Sequence, residues 1–119
     1  MKKAEIRKIV LAQRTELTEK EFHERSLRVI ETLTSLLTPG KTIASFKAIP
    51  HRNEISLDSL KGNFAYPRVI SAAEGTMEMV LAAEFTSSEW GIPEPVGGTV
   101  VKPTDFDIVL IPLLAFDKN

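Results

Sequence analysis

Asp107-Ile108-Val109-Leu110-Ile111-Pro112 is the stretch on which the fold turns. An unbroken apolar run of strand length, closed by a proline, predicts a strand buried on both faces of a parallel sheet. The chain then continues Leu113-Leu114-Ala115-Phe116-Asp117 into a turn. Upstream the apolar period changes. Ile6, Ile9, Val10 and Leu17 share one side of an amphipathic helix over about Lys2–Leu17. Thr18 and Glu21 form a capping box for a second helix, whose stripe is Phe22, Ser26, Val29, Ile30, Leu33 and Leu37. Pro39-Gly40 ends it.

Short apolar segments follow. Thr42–Phe46, Asn63–Tyr66 (stopped by Pro67) and Met77–Leu81 read as strands, with a turn at Glu74-Gly75. Ser56 can cap a brief helix through Leu60. Glu84–Pro103, rich in proline and glycine, reads mostly as loop. Helices alternating with short strands predict an α/β fold: a Rossmann-like, largely parallel sheet flanked by helices, in a single domain over 1–119. Ligands in such sheets bind beyond the carboxyl ends of the strands, so the loops after Phe46, Leu81 and Pro112 are where chemistry is sought.

Bulk properties narrow the class. With 119 residues, 43% hydrophobic and 26% charged, the chain supports a modest core. The net charge of −1 gives no pull toward nucleic acid or an anionic membrane. No apolar run is long enough to span a bilayer, and Met-Lys-Lys followed by further charges is no signal peptide. The absence of cysteine removes thiolate chemistry and fits the cytoplasm.

Three sets of residues could carry chemistry. Lys3, Arg7 and Arg14 lie within about 40° of one another around the first helix. They form either a solvated face or cations aimed at a phosphate in an adjoining cleft. Glu54, between a strand and a helix start, either answers the helix dipole or accepts hydrogen bonds from a ligand. Met77, in Met77-Glu78-Met79, and Trp90 are either packing residues or apolar walls for a flat ligand. His51, Arg52 and His23 show no ligand or triad spacing. Gly97-Gly98 is too short for a phosphate-binding loop, and Asp117 reads as a turn residue.

Taken in order, these motifs resemble one family. Lys3-Ala4-Glu5-Ile6-Arg7, a strand followed by Glu54, Met77-Glu78-Met79, Trp90-Gly91-Ile92-Pro93-Glu94-Pro95 and a final strand ending in Phe116-Asp117 are similar to 5-formyltetrahydrofolate cyclo-ligase, or methenyltetrahydrofolate synthetase. The resemblance implies ATP- and Mg²⁺-dependent closure of 5-formyltetrahydrofolate to 5,10-methenyltetrahydrofolate. It implies that Lys3, Arg7 and Arg14 contact ATP, and that Glu54, Met77 and Trp90 line the folate site together with Lys47 or Ile49. Pro67-Arg68-Val69 also matches the family, and Asp117 either forms a turn or, in a full-length relative, approaches Mg²⁺; no metal ligand is assigned. The family continues into a loop of the form Arg-Leu-Gly-x-Gly-x-Gly-Tyr-Tyr-Asp, which holds the nucleotide, whereas this sequence stops at Asn119. The expectation is therefore a cyclo-ligase domain truncated at its C-terminus, with the sheet incomplete there and the exposed flank prone to self-association. A non-catalytic folate-binding or regulatory relative, and a structural fragment with a lapsed site, are the other readings.

Overall fold

The computed structural model describes residues 2–49, 53–82, 84–88 and 91–118. Helix α1 spans Lys3–Thr15 and α2 spans Glu19–Leu36. The capping box of α2 forms as its sequence predicts. Thr18 Oγ1 accepts from the Glu21 N–H at 3.1 Å, and Glu21 Oε1 accepts from the Thr18 N–H at 3.4 Å. Neither helix contains a fully buried residue. Ile6 and Ile9, expected on the inner stripe, are exposed at 38% and 46%. The partly covered residues of α2 are Phe22, Ser26, Ile30 and Leu33.

The sheet has five strands in the order β6-β3-β2-β1-β7. These are β1 (Thr42–Ala44), β2 (Asn63–Ser71), β3 (Thr76–Leu81), β6 (Thr99–Val101) and β7 (Ile108–Val109). A separate two-stranded hairpin pairs β4 (Phe85–Ser87) with β5 (Pro93–Pro95). Around β1 the pairing is parallel, to β2 on one side and β7 on the other. β2, β3 and β6 pair antiparallel. The α/β reading therefore holds, in a mixed sheet whose parallel half carries β7. Its core is Ile43, Ala44, Leu57, Ala65 and Val80, all under one tenth exposed.

Several local expectations are corrected. β2 does not stop at Pro67 but runs on to Ser71. By Pro67 the strand has outrun β1, whose register ends at Ala44↔Ala65, so the missing N–H costs no ladder bond on that side. Ser56 caps no helix. Its Oγ accepts from the Asp58 N–H at 3.3 Å, and a turn closes from Leu60 N–H to Leu57 O. Leu57 is buried there, anchoring the turn where a helix has no room before Gly62. The stretch from Glu84 to Pro103, read as mostly loop, also contributes three short strands, β4, β5 and β6.

The deciding strand is also placed differently. Rather than being covered on both faces, β7 is the edge of the sheet. It enters through a double clasp at its start: the Thr42 N–H donates to Asp107 Oδ2 and the Asp107 N–H donates to Thr42 O, both at 2.9 Å. The Leu110 N–H donates to Ala44 O at 2.8 Å. Beyond that bond the apolar run is open: Val109, Ile111, Leu113 and Phe116 are 59, 68, 65 and 89% exposed.

Candidate functional site

Three cavities meet at the carboxyl end of β7, and Pro112 lines each of them. The first, about 440 Å³, lies between α2 and the strand and is lined by Arg14, Phe22, Arg25, Glu54, Val109 and Ile111, among others. The second, about 600 Å³, lies between α1 and the tail, with Lys3 and Arg7 on one wall and Phe116 and Asp117 on the other. The third, about 370 Å³, holds Met77, Met79, Phe106 and Leu110. Phe46 and the Val109–Pro112 segment are shared by the first and third, so they form a saddle between the two.

The basic ridge of α1 is thereby divided. Lys3 and Arg7 serve the second cavity, and Arg14, two turns further on, serves the first. Glu54 joins Arg14 rather than Lys3 and Arg7. Met77 stands across the saddle, 60% exposed. Trp90, His51 and Arg52 lie outside the described residues, as do Pro50, Ala83 and Glu89.

Local bonds fix Glu54. Its neighbour Asn53 sits at φ 49°, a left-handed conformation that Asn tolerates better than most residues. The Asn53 side-chain amide donates to Arg14 O at 2.8 Å, tying the loop to the end of α1. On the other side Lys47 donates to Asp58 Oδ1 at 2.8 Å. Its ammonium also lies 4.7 Å from the Tyr66 ring centroid and 4.3 Å from that of Phe85. These two rings meet edge to face at 5.1 Å. Burial pushes the Tyr66 hydroxyl above its ordinary pKa, with the Lys47 charge pulling it back and Asp58 adding a smaller push upward. Neither Lys47 nor Ile49 lines any of the three cavities.

Arg68 has a structural task visible in its contacts. Its Nε and Nη2 donate to Glu78 Oε1 at 3.0 and 2.7 Å, and its Nη1 donates to Gly97 O at 2.8 Å. It thus fastens the turn before β6 to the β2–β3 hairpin. Ser45 Oγ, on a residue 5% exposed, has no hydrogen-bond partner among the described residues. Two features escaped sequence reading. Arg25 lacks a family motif, and the tail's role as a cavity wall depends on β7 being an edge. The charge of Arg25 on the flank of the Phe22–Ser26–Val29 stripe was the only available signal.

Basic groups, a carboxylate and apolar walls are gathered at the carboxyl ends of parallel strands, the place where α/β folds commonly bind ligands. Solved structures sharply narrow the class. The NMR structure of Aquifex aeolicus 5,10-methenyltetrahydrofolate synthetase superposes with a TM-score of 0.78 at 32% identity, covering 98% of this chain and 63% of that one. A 5,10-methenyltetrahydrofolate synthetase from Mycoplasma pneumoniae superposes with a TM-score of 0.71 at 22% identity, covering 99% of this chain and 68% of that one, and supports the fold alone. The resemblance to the cyclo-ligase family read in the sequence is therefore borne out in three dimensions over nearly the whole chain. The chain spans about two thirds of the length of these structures. Neither a family model nor a curated protein sequence matches it. Among the described residues no helix is long and apolar enough to cross a membrane.

Proposed function

We propose that this chain, as one cytoplasmic domain over 1–119, carries the folate-binding framework and part of the nucleotide-binding framework of a 5-formyltetrahydrofolate cyclo-ligase. The observation that carries the reading is the match to the Aquifex synthetase combined with the meeting of three cavities at Pro112. In the reaction, the formyl oxygen of 5-formyltetrahydrofolate attacks the γ-phosphorus of ATP and ADP leaves. N10 then bonds to the formyl carbon, the carbon–oxygen bond breaks, phosphate departs and the N10 proton is lost. The protein's contribution is positioning and charge stabilisation.

Lys3 and Arg7 would hold phosphate oxygens, and Arg14 would extend that positive field toward Glu54. Glu54 would orient the formyl end and favour the positive charge that builds across N5 and the formyl carbon. Met77, with Trp90, would flank the pterin. No group of three or more His, Asp or Glu side chains comes together among the described residues, and Mg²⁺ held on nucleotide phosphates commonly takes only one or two protein carboxylates. Asp117 is a single carboxylate on the Lys3–Arg7 cavity. No step is therefore assigned to the metal. The open flank of β7 supports self-association as the protein–protein contact this chain would make.

The test is formation of the methenyl product from 5-formyltetrahydrofolate and ATP, followed by its near-ultraviolet absorbance. Turnover that falls roughly a hundredfold in Glu54→Gln is expected. Absence of both product and folate binding in the unaltered protein would refute the reading.

A further inference from the structure

We propose that Arg25 forms a carboxylate-binding subsite at the α2 end of the Glu54 cavity, taking the glutamate tail of the folate. This inference rests on the folate reading above and adds a part of the ligand that no motif in the sequence addresses. The cavity of about 440 Å³ falls within the size range of small-molecule sites. Its walls are mostly apolar, and Arg25 brings a guanidinium to them. A site with apolar walls and a guanidinium suits an anion with an aromatic body.

Geometry assigns the two ends. Glu54 lies on the loop after β1, in the cavity that shares the Phe46 and Val109–Pro112 saddle with Met77. Arg25 lies on α2 beside Phe22 and Ser26, on a different element from Glu54. A formyl-pterin placed at Glu54 and Met77 therefore directs its benzoyl ring along Phe22 and its carboxylates toward Arg25. Among the described residues Arg25 makes no ion pair, so its guanidinium is available to a bidentate carboxylate without breaking an existing bond.

The experiment is a two-by-two binding measurement by isothermal titration. Wild type and Arg25→Gln are each titrated with 5-formyltetrahydrofolate and with 5-formyltetrahydropteroate, which lacks the glutamate. Wild type should prefer the glutamate-bearing ligand by about fivefold, an exposed charge-assisted contact. Arg25→Gln should bind both equally, at the wild-type affinity for the pteroate, and Arg25→Lys should recover part of the preference. Undiminished discrimination by Arg25→Gln would overturn the subsite while leaving the folate reading intact. Should wild type bind neither pterin, the folate reading fails, and p-aminobenzoylglutamate then tests the subsite alone. Movement of the Arg25 Nε–Hε resonance on adding it supports the assignment. No movement, or movement only with inorganic phosphate, overturns it.

Discussion

Replacing Gly98 by alanine should unfold the β6 edge of the sheet, whereas the same change at Gly97 should not. Both glycines have left-handed backbones, with φ 65° at Gly97 and 84° at Gly98. Each alanine therefore carries the cost of that conformation for a residue with a Cβ, about 1–2 kcal/mol. Around Gly97 there is nothing within 4 Å of the added carbon, so its cost ends there. At Gly98 the Cβ would collide with the Leu81 carbonyl oxygen and stand 2.8 Å from Val80 Cγ1. Val80 is 0% exposed and cannot swing away. Leu81 is held in register with Thr99, and Val80 with Val100, so relief requires β6 to slide off β3. Overpacking of this kind adds about 1–3 kcal/mol. Gly98→Ala should therefore lose roughly 2–5 kcal/mol in total, a large share of the 5–15 kcal/mol typical of a domain. Thermal unfolding followed by circular dichroism should place its midpoint more than about 10 °C below wild type, with Gly97→Ala only about 4–6 °C below. A Gly98→Ala protein melting with Gly97→Ala would refute the close approach of the Gly97-Gly98 turn to β3.

Arg68→Met should cost about 1–2 kcal/mol in urea unfolding, because a half-buried Glu78 carboxylate and the Gly97 carbonyl lose their donor together. A double substitution with Glu78→Gln should recover part of that loss. Tyr66 sets a basic limit on stability. Its pKa is raised in the folded state, so the folded chain holds this proton more tightly than the unfolded one. That contribution is complete below the ordinary value of 10.0 and is lost as pH rises through the folded pKa. Chemical unfolding at a series of pH values from 8 upward, with Tyr66→Phe as reference, should show the wild-type curve falling faster above about pH 10. Ile111→Lys should abolish any concentration-dependent association seen by analytical ultracentrifugation, since a charge on an open strand edge blocks edge pairing. Unchanged association would place the contact elsewhere.

Much of the fold was legible because local signals agreed with tertiary placement. The Thr18–Glu21 box was readable from two residues and forms as read. The strand starts at Thr42, Asn63 and Met77 were found to within a residue because apolar character rises abruptly there. The failures have a common physical source. Pro67 was read as a stop because a proline harms a strand with partners on both sides, but β1 is too short to reach it. Pro93 and Pro95 hid β5 for the same reason, since a two-stranded hairpin has outer edges where no N–H is needed. The burial of β7 was misjudged because an apolar run reports the tendency of a segment to be covered, not what covers it. For the site, residue type identified Lys3, Arg7, Arg14 and Glu54 as candidates. Which of them share a cavity depends on where α1 crosses the strand ends, and no spacing along the chain contains that information.

The division of the basic ridge gives the geometry a consequence for how a ligand could be handled. A phosphate on Lys3 and Arg7 and a carboxylate-bearing folate beside Glu54 would sit in different cavities, separated only by the segment around Pro112. For a formyl oxygen to reach a γ-phosphorus, the two ligands must meet over that segment. Its backbone is bonded to β1 through Leu110 and is open on its other edge. Proline at 112 stiffens the chain where the cavities join. The stretch that decides the fold is thus also the partition between the two halves of the site. Its exposed face, rather than the buried core, is where the chemistry proposed here would take place.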